Sequence, residues 1–190
     1  MPNWCYNEIT LTGDLKEVSR KFQDLKQNNE FQLMETLIGV PEKVEEEWED
    51  YNRERFGSKW DIPFSEVEIQ ELSDNQIQFI CYSAFTPIIP FLVTLSAIYK
   101  INANIFYYEV GSDYSGFCVT SLGIYADHEY DNVLEGYYLH KPDEFWDYIK
   151  SEIEIDCQND EEDLESIYYY LTDKDLEKLK LMIATKKYNL

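Results

Sequence analysis

Residues 5 to 12 (CYNEITLT) alternate between apolar and polar positions, which predicts a half-buried strand. Gly13-Asp14 then stops it and offers a cap to a following helix. From Asp14 to about Gln27 the residues Leu15, Val18, Phe22 and Leu25 recur at three- and four-residue spacing, the pattern of a helix with one buried stripe. Residues 28 to 60 keep no sustained period. Pro41 is placed to open a short helix with the polar body KVEEEWEDYNRERF, Gly57 is placed to close it, and the whole reads as an insertion.

Period two returns in SEVEIQEL (65 to 72) and QIQFICYSA (76 to 84), which flank Ser73-Asp74-Asn75 as a hairpin would. TPIIPFLVTLSAIYKI opens with prolines and continues as an almost wholly apolar helix, expected to pack against a sheet. ANIFYYEV (103 to 110) and GFCVTSLGIYA (116 to 126) predict a second strand pair around Gly111-Ser112-Asp113. The expected class is therefore α+β: a ferredoxin-like βαββαβ antiparallel sheet with helices on one face, plus one extra strand. After Asp127 the chain turns tyrosine-rich, acidic and helical, with Thr172 or Asp173 as a cap. This predicts a domain over residues 1 to 126 and a helical extension over 127 to 190.

Charge changes the picture. Thirty-eight acids against sixteen bases give a formal charge of −22 over 190 residues, while 44% of the chain is hydrophobic and 16% aromatic. Disordered acidic chains are poor in such residues, so the charge belongs to a folded surface. That surface repels nucleic acid and anionic lipid, and it favours a basic partner or one that ordinarily binds a polyanion. The acids spread along the chain: residues 1 to 130 hold nine bases and twenty-two acids, residues 131 to 190 seven and sixteen. The N-terminal residues lack the pattern of a secretory signal and no apolar run has spanning length, which points to a cytoplasmic protein. Cys5, Cys81 and Cys118 lie in strand-like contexts and read as buried free thiols; with Cys157 they form no disulfide framework or zinc motif.

Four strings together, MPNWCYNEITLTG (1 to 13), GSKWD (57 to 61), FTPIIPFL (85 to 92) and YYEVGSDYSG (107 to 116), resemble the YubB-like family of plasmid- and phage-borne proteins. The resemblance covers roughly residues 1 to 126. It implies a ferredoxin-like domain and a mobile-element setting, in a family of unknown biochemical activity. Where this chain reads Tyr82-Ser83-Ala84-Phe85-Thr86-Pro87, the family commonly has a Trp, so a site built on that indole is not expected here.

Two groups of residues are candidates for function. Glu42, Glu45, Glu46 and Glu49 would share one helix face, and with Glu161, Glu162, Asp163 and the anchors Tyr168, Tyr169 and Tyr170 they form an acidic, aromatic partner-binding surface. Trp4, Trp60, Asp61, Tyr107, Tyr108, Glu109 and Asp113 are the alternative, an aromatic ligand pocket with carboxylates. Asp127, His128, Glu129 and Asp131 have metal-ligand chemistry, but a polar turn after a strand gives the same string, and neither metal nor cofactor is expected. No GxSxG, P-loop or HExxH string and no Cys with a nearby His occurs, so no catalytic residue is assigned.

The expected function is a non-enzymatic acidic binding factor of a phage or mobile element, inhibiting a host nucleic-acid-handling or defence protein such as a CRISPR or restriction complex by nucleic-acid mimicry. The alternative is a small-molecule or nucleotide-binding domain with an aromatic pocket, with or without enzymatic activity. A third expectation is homo-oligomerisation through the sheet or the C-terminal helices. No direct contact with nucleic acid or membrane is expected.

Overall fold

Along the first strand, β1 (Trp4–Thr12), Cys5, Asn7, Ile9 and Leu11 are buried while Tyr6, Glu8, Thr10 and Thr12 are only half-buried, as the sequence alternation predicts. The computed structural model describes residues 3–28, 31–39, 48–130, 132–147, 172, 174–175 and 177–181. β1 sits inside a six-stranded antiparallel sheet with β2 (Glu68–Leu72), β3 (Gln76–Ala84), β4 (Asn102–Glu109), β5 (Tyr114–Ser121) and β6 (Ile124–Tyr130), in the order β2-β3-β1-β4-β5-β6. The chain is a mixed α+β protein. It divides into two compact units, residues 1–133 and 134–190.

The helices of the first unit are α1 (Lys16–Gln27), α2 (Leu33–Ile38), α3 (Trp48–Phe56) and α4 (Ile89–Tyr99). Val18, Phe22 and Leu25 of α1 share one core with Ile9 and Leu11 of β1, Ile77 and Phe79 of β3, and Leu92 and Leu95 of α4. Phe22 lies 5.4 Å from Phe79 and 6.0 Å from Phe64, centre to centre. Each such buried side chain stabilises the fold by about 1.5–3 kcal/mol.

Four local expectations are corrected. Asp14 does not cap α1; Leu15 holds that place, and the entry is fixed instead by main-chain bonds from Gly13 N to Asn75 O (3.3 Å) and from Leu15 N to Asp74 O (2.8 Å). Residues 64–66 form a 3₁₀ turn, so β2 begins at Glu68 rather than 65. The segment 116–126 is not one strand: Leu122 and Gly123 both have positive φ (53° and 81°) and split it into the β5–β6 hairpin. The sheet consequently gains two strands beyond β4, and β6 continues past residue 126 to Tyr130. Within the expected insertion, α3 closes at Gly57 as predicted, with φ 76° and a Cβ position 2.6 Å from Pro87 O that only glycine tolerates. Pro41 lies outside the described residues.

Helix α5 (Val133–His140) starts at the last residue of the first unit, and its remaining residues belong to the second. Phe145 is buried between Tyr138 and Trp146, with ring centres 5.3 and 5.2 Å away, and Lys178 Nζ sits 3.8 Å from the centre of the Trp146 ring. Thr172 is a cap, as predicted: its Oγ1 accepts from Asp175 N at 3.3 Å. No helix among the described residues is long and apolar enough to cross a membrane.

Candidate functional site

Segments 3–13, 57–61, 85–92 and 107–116 meet at one end of the sheet, where β1 begins and β3 and β4 end. Phe85 N donates to Asn3 O (2.9 Å), Ala84 N to Ser58 Oγ (3.1 Å), the Thr86 hydroxyl to Gly57 O, and the Tyr114 hydroxyl to Phe85 O (3.2 Å). Beneath them Asn7 is fully buried. Its Nδ2 donates to Cys5 O (2.8 Å) and Ser83 Oγ (2.9 Å), and its Oδ1 accepts from Ile88 N (3.3 Å). Ser83 Oγ donates onward to Thr86 O at 2.6 Å. A buried polar group costs stability unless bonded; here each named one is bonded, and the network ties the loops to the strand ends.

The seven residues of the expected ligand pocket are divided among different tasks. Asp61 takes Met34 N (2.8 Å), Glu35 N (2.7 Å) and Ile62 N (2.6 Å), capping α2 from a distance. Burial raises its carboxyl pKa and those three bonds lower it, with burial the stronger. Glu109 is buried at the β4–β5 turn and accepts from Gly111 N (2.6 Å), Ser112 N (2.8 Å) and Asn3 Nδ2 (3.4 Å). Burial pushes its pKa up, but these bonds outweigh it and hold the carboxyl below its ordinary value. Asp113 Oδ1 accepts from Val133 N at 3.2 Å.

Tyr107 and Tyr108 point to opposite faces. Tyr107 is fully buried in the helix-side core, whereas Tyr108 stacks on Tyr6 across β1 and β4 at 4.6 Å. Trp4 and Trp60 remain exposed at 50% and 39%. Asp61 and Glu109 thus spend their oxygens on main-chain N–H groups of the same chain.

Of the acidic surface, only Glu49 falls among the described residues, half-buried and paired with Lys59 at 2.9 Å. Glu42, Glu45, Glu46, Glu161, Glu162, Asp163, Tyr168, Tyr169 and Tyr170 lie outside them. Strand alternation turns His128 to the face opposite Asp127 and Glu129, so these three cannot converge on one ion; Asp131 is outside the described residues. Burial pushes the Cys5 and Cys118 thiols up to about 12, which keeps both as thiols near neutral pH.

The feature that sequence reading did not bring out is the composition of the sheet itself. The six strands contain Glu8, Glu68, Glu71, Glu109, Asp127 and Glu129 and no Lys or Arg. Among the described residues the bases of the first unit lie off the sheet, with Lys16, Arg20, Lys21 and Lys26 on α1 and Arg53 and Arg55 on α3. Away from the helices the sheet presents a row of rings across three strands: Tyr82, Tyr6 and Tyr108, with Tyr6 5.7 Å from Tyr82. The strand strings carry this signal, and the bases of the intervening helices mask it along the chain as a whole.

At the far side of the sheet, Tyr107 crosses Gly116 of β5 to donate to Asp127 Oδ1 of β6 at 3.0 Å. A Cβ at residue 116 would stand 2.2 Å from the Tyr107 ring, so this lane requires glycine.

No family model and no curated protein matches this chain. Among solved structures it is similar to that of a protein api92 from Yersinia pseudotuberculosis, of the family DUF1281, at 18% identity and a TM-score of 0.42. That similarity covers 51% of this chain, which spans 39% of the other.

Proposed function

We propose that this chain is a non-enzymatic binding factor whose acidic, aromatic sheet engages a basic partner protein. One observation carries the reading: the six strands hold no Lys or Arg, while five of their six carboxylates, all but the buried Glu109, are exposed or half-buried. A sheet used to hold nucleic acid combines aromatic rings with cations along the backbone path. This one combines rings with carboxylates, the reverse charge, and is suited to Arg and Lys of a protein. A basic surface of that kind is typical of a nucleic-acid-handling protein. We extend the proposal to a phage or mobile-element setting and to inhibition of a host nucleic-acid or defence protein by mimicry, on the strength of the family resemblance and the net charge of −22.

The proposed fold of the first unit is ferredoxin-like. The order β2-β3-β1-β4, with helices between β1 and β2 and between β3 and β4, supports this, and β5–β6 extends the sheet.

Affinity capture from nuclease-treated host lysate at low and high salt tests the function. A basic nucleic-acid-binding protein retained at low salt and released at high salt is expected. Retention that ignores salt, or capture of acidic proteins only, contradicts the reading.

A further inference from the structure

Among the described residues β6 is an edge strand of the sheet, and it differs from the opposite edge. β2 has five residues and a bulge between Ile69 and Glu71, a device that blunts an edge against pairing. β6 has seven residues in unbroken register with β5. Residues 124–129 are all exposed, Ile124 by 75% and Tyr125 by 58%, and among the described residues no strand pairs with the outer side of β6.

The hairpin fixes which backbone groups face outward. Ser121 and Ile124 flank a two-residue turn whose central residues both have positive φ, so they form its first hydrogen-bonded pair. Hydrogen-bonded pairs then recur at every second residue: Ala126 with Val119 and His128 with Phe117. Tyr125, Asp127 and Glu129 therefore turn their N–H and C=O away from β5. Their side chains share one face, while Ile124, Ala126 and His128 share the other.

We propose that β6 receives an extended segment of the partner by antiparallel strand addition, and that this segment alternates Lys or Arg with apolar residues. Side chains of paired residues lie on the same face, so the guest places cations against Asp127 and Glu129 and apolar groups against Ile124 and Ala126. Asp127 is held ready by the bond from Tyr107. A second copy of this chain fits less well: the register that pairs all seven residues of β6 has its two-fold at Asp127 and sets Asp127 against Asp127, like charges directly opposed. The proposal rests on the reading of a basic partner and adds where and in what conformation it binds.

The test uses the full chain and two octapeptides of equal composition, one alternating Lys and Val and one with four Lys followed by four Val, followed by fluorescence anisotropy at low salt. The alternating peptide is expected to bind at least tenfold more tightly. Asp127→Asn and Glu129→Gln should each weaken it roughly two- to fivefold, the size of a cross-strand ion pair. Tyr125→Pro removes an outward N–H but no bond to β5, and it should abolish the preference for the alternating peptide while circular dichroism stays unchanged. Equal, salt-sensitive binding of both peptides would overturn strand addition and leave the basic-partner reading standing. Binding of neither would overturn both. A dimer in sedimentation that Tyr125→Pro dissociates would make the occupant a second copy and overturn the basic guest.

Discussion

The end of the sheet around Asn7 and the edge along β6 are both rich in polar groups, yet they spend them in opposite ways. At the strand ends Asn7, Ser58, Ser83, Asp61 and Glu109 each bond another part of the same chain. On β6 the N–H and C=O of Tyr125, Asp127 and Glu129 point outward, beside carboxylates with no cation among the strands to answer them. Polar groups satisfied internally stabilise and orient; those left facing water are available to another molecule. Residue type alone does not separate the two, since both regions offer aromatic rings and carboxylates.

If the strand ends are architecture, changes there should cost the most stability. Asn7→Ala leaves Ile88 N–H and the Ser83 hydroxyl short of a partner in a buried site, and it should destabilise the fold by about 3 kcal/mol in urea denaturation. A loss below about 1 kcal/mol would mean the network is dispensable. Along β6, proline substitutions should alternate in effect. His128→Pro removes a bond to β5 and should cost about 2 kcal/mol, whereas Tyr125→Pro should cost less than about 1 kcal/mol. Equal costs at the two positions would refute the assignment of outward groups. Gly116→Ala, which drives a Cβ into the Tyr107 ring, should cost about 1–2 kcal/mol and loosen Asp127.

The smallest effect concerns pH. The folded-state pKa of Glu109 lies below its ordinary value of 4.5, so its contribution is present above that pH and is lost as pH falls through the folded value. Glu109→Gln should accordingly flatten part of the loss of stability below about pH 4.5, measured as urea midpoints against pH. A variant as acid-sensitive as the parent would show that the turn does not depend on the ionised carboxyl.

Most of the frame was legible because its signals are periodic. The stripe Val18, Phe22 and Leu25 marked α1, alternation marked β1 and β3, and the apolar run after Pro90 marked α4. What escaped depends on remote partners or unusual residues. α2 is only six residues long, and its donors are met by Asp61, twenty-six residues on from Glu35. The β5–β6 turn puts Leu122 in a left-handed conformation, where Asn or Asp is the recognisable signal. Of the candidate pocket residues, Asp61 and Glu109 could not be known as caps without the backbone they bind. The open edge was not legible at all, because edges are set by strand order.

Amide hydrogen exchange along β6, followed by NMR with and without the alternating Lys-Val octapeptide, tests the central claim most directly. The free protein should exchange quickly at Tyr125, Asp127 and Glu129 and slowly at Ala126 and His128, and the peptide should protect the first three alone. Protection of those three absent in the free protein and gained with peptide would establish β6 as a receiving edge. Slow exchange at all of them in the free protein, or peptide-induced protection confined to other elements, would contradict it.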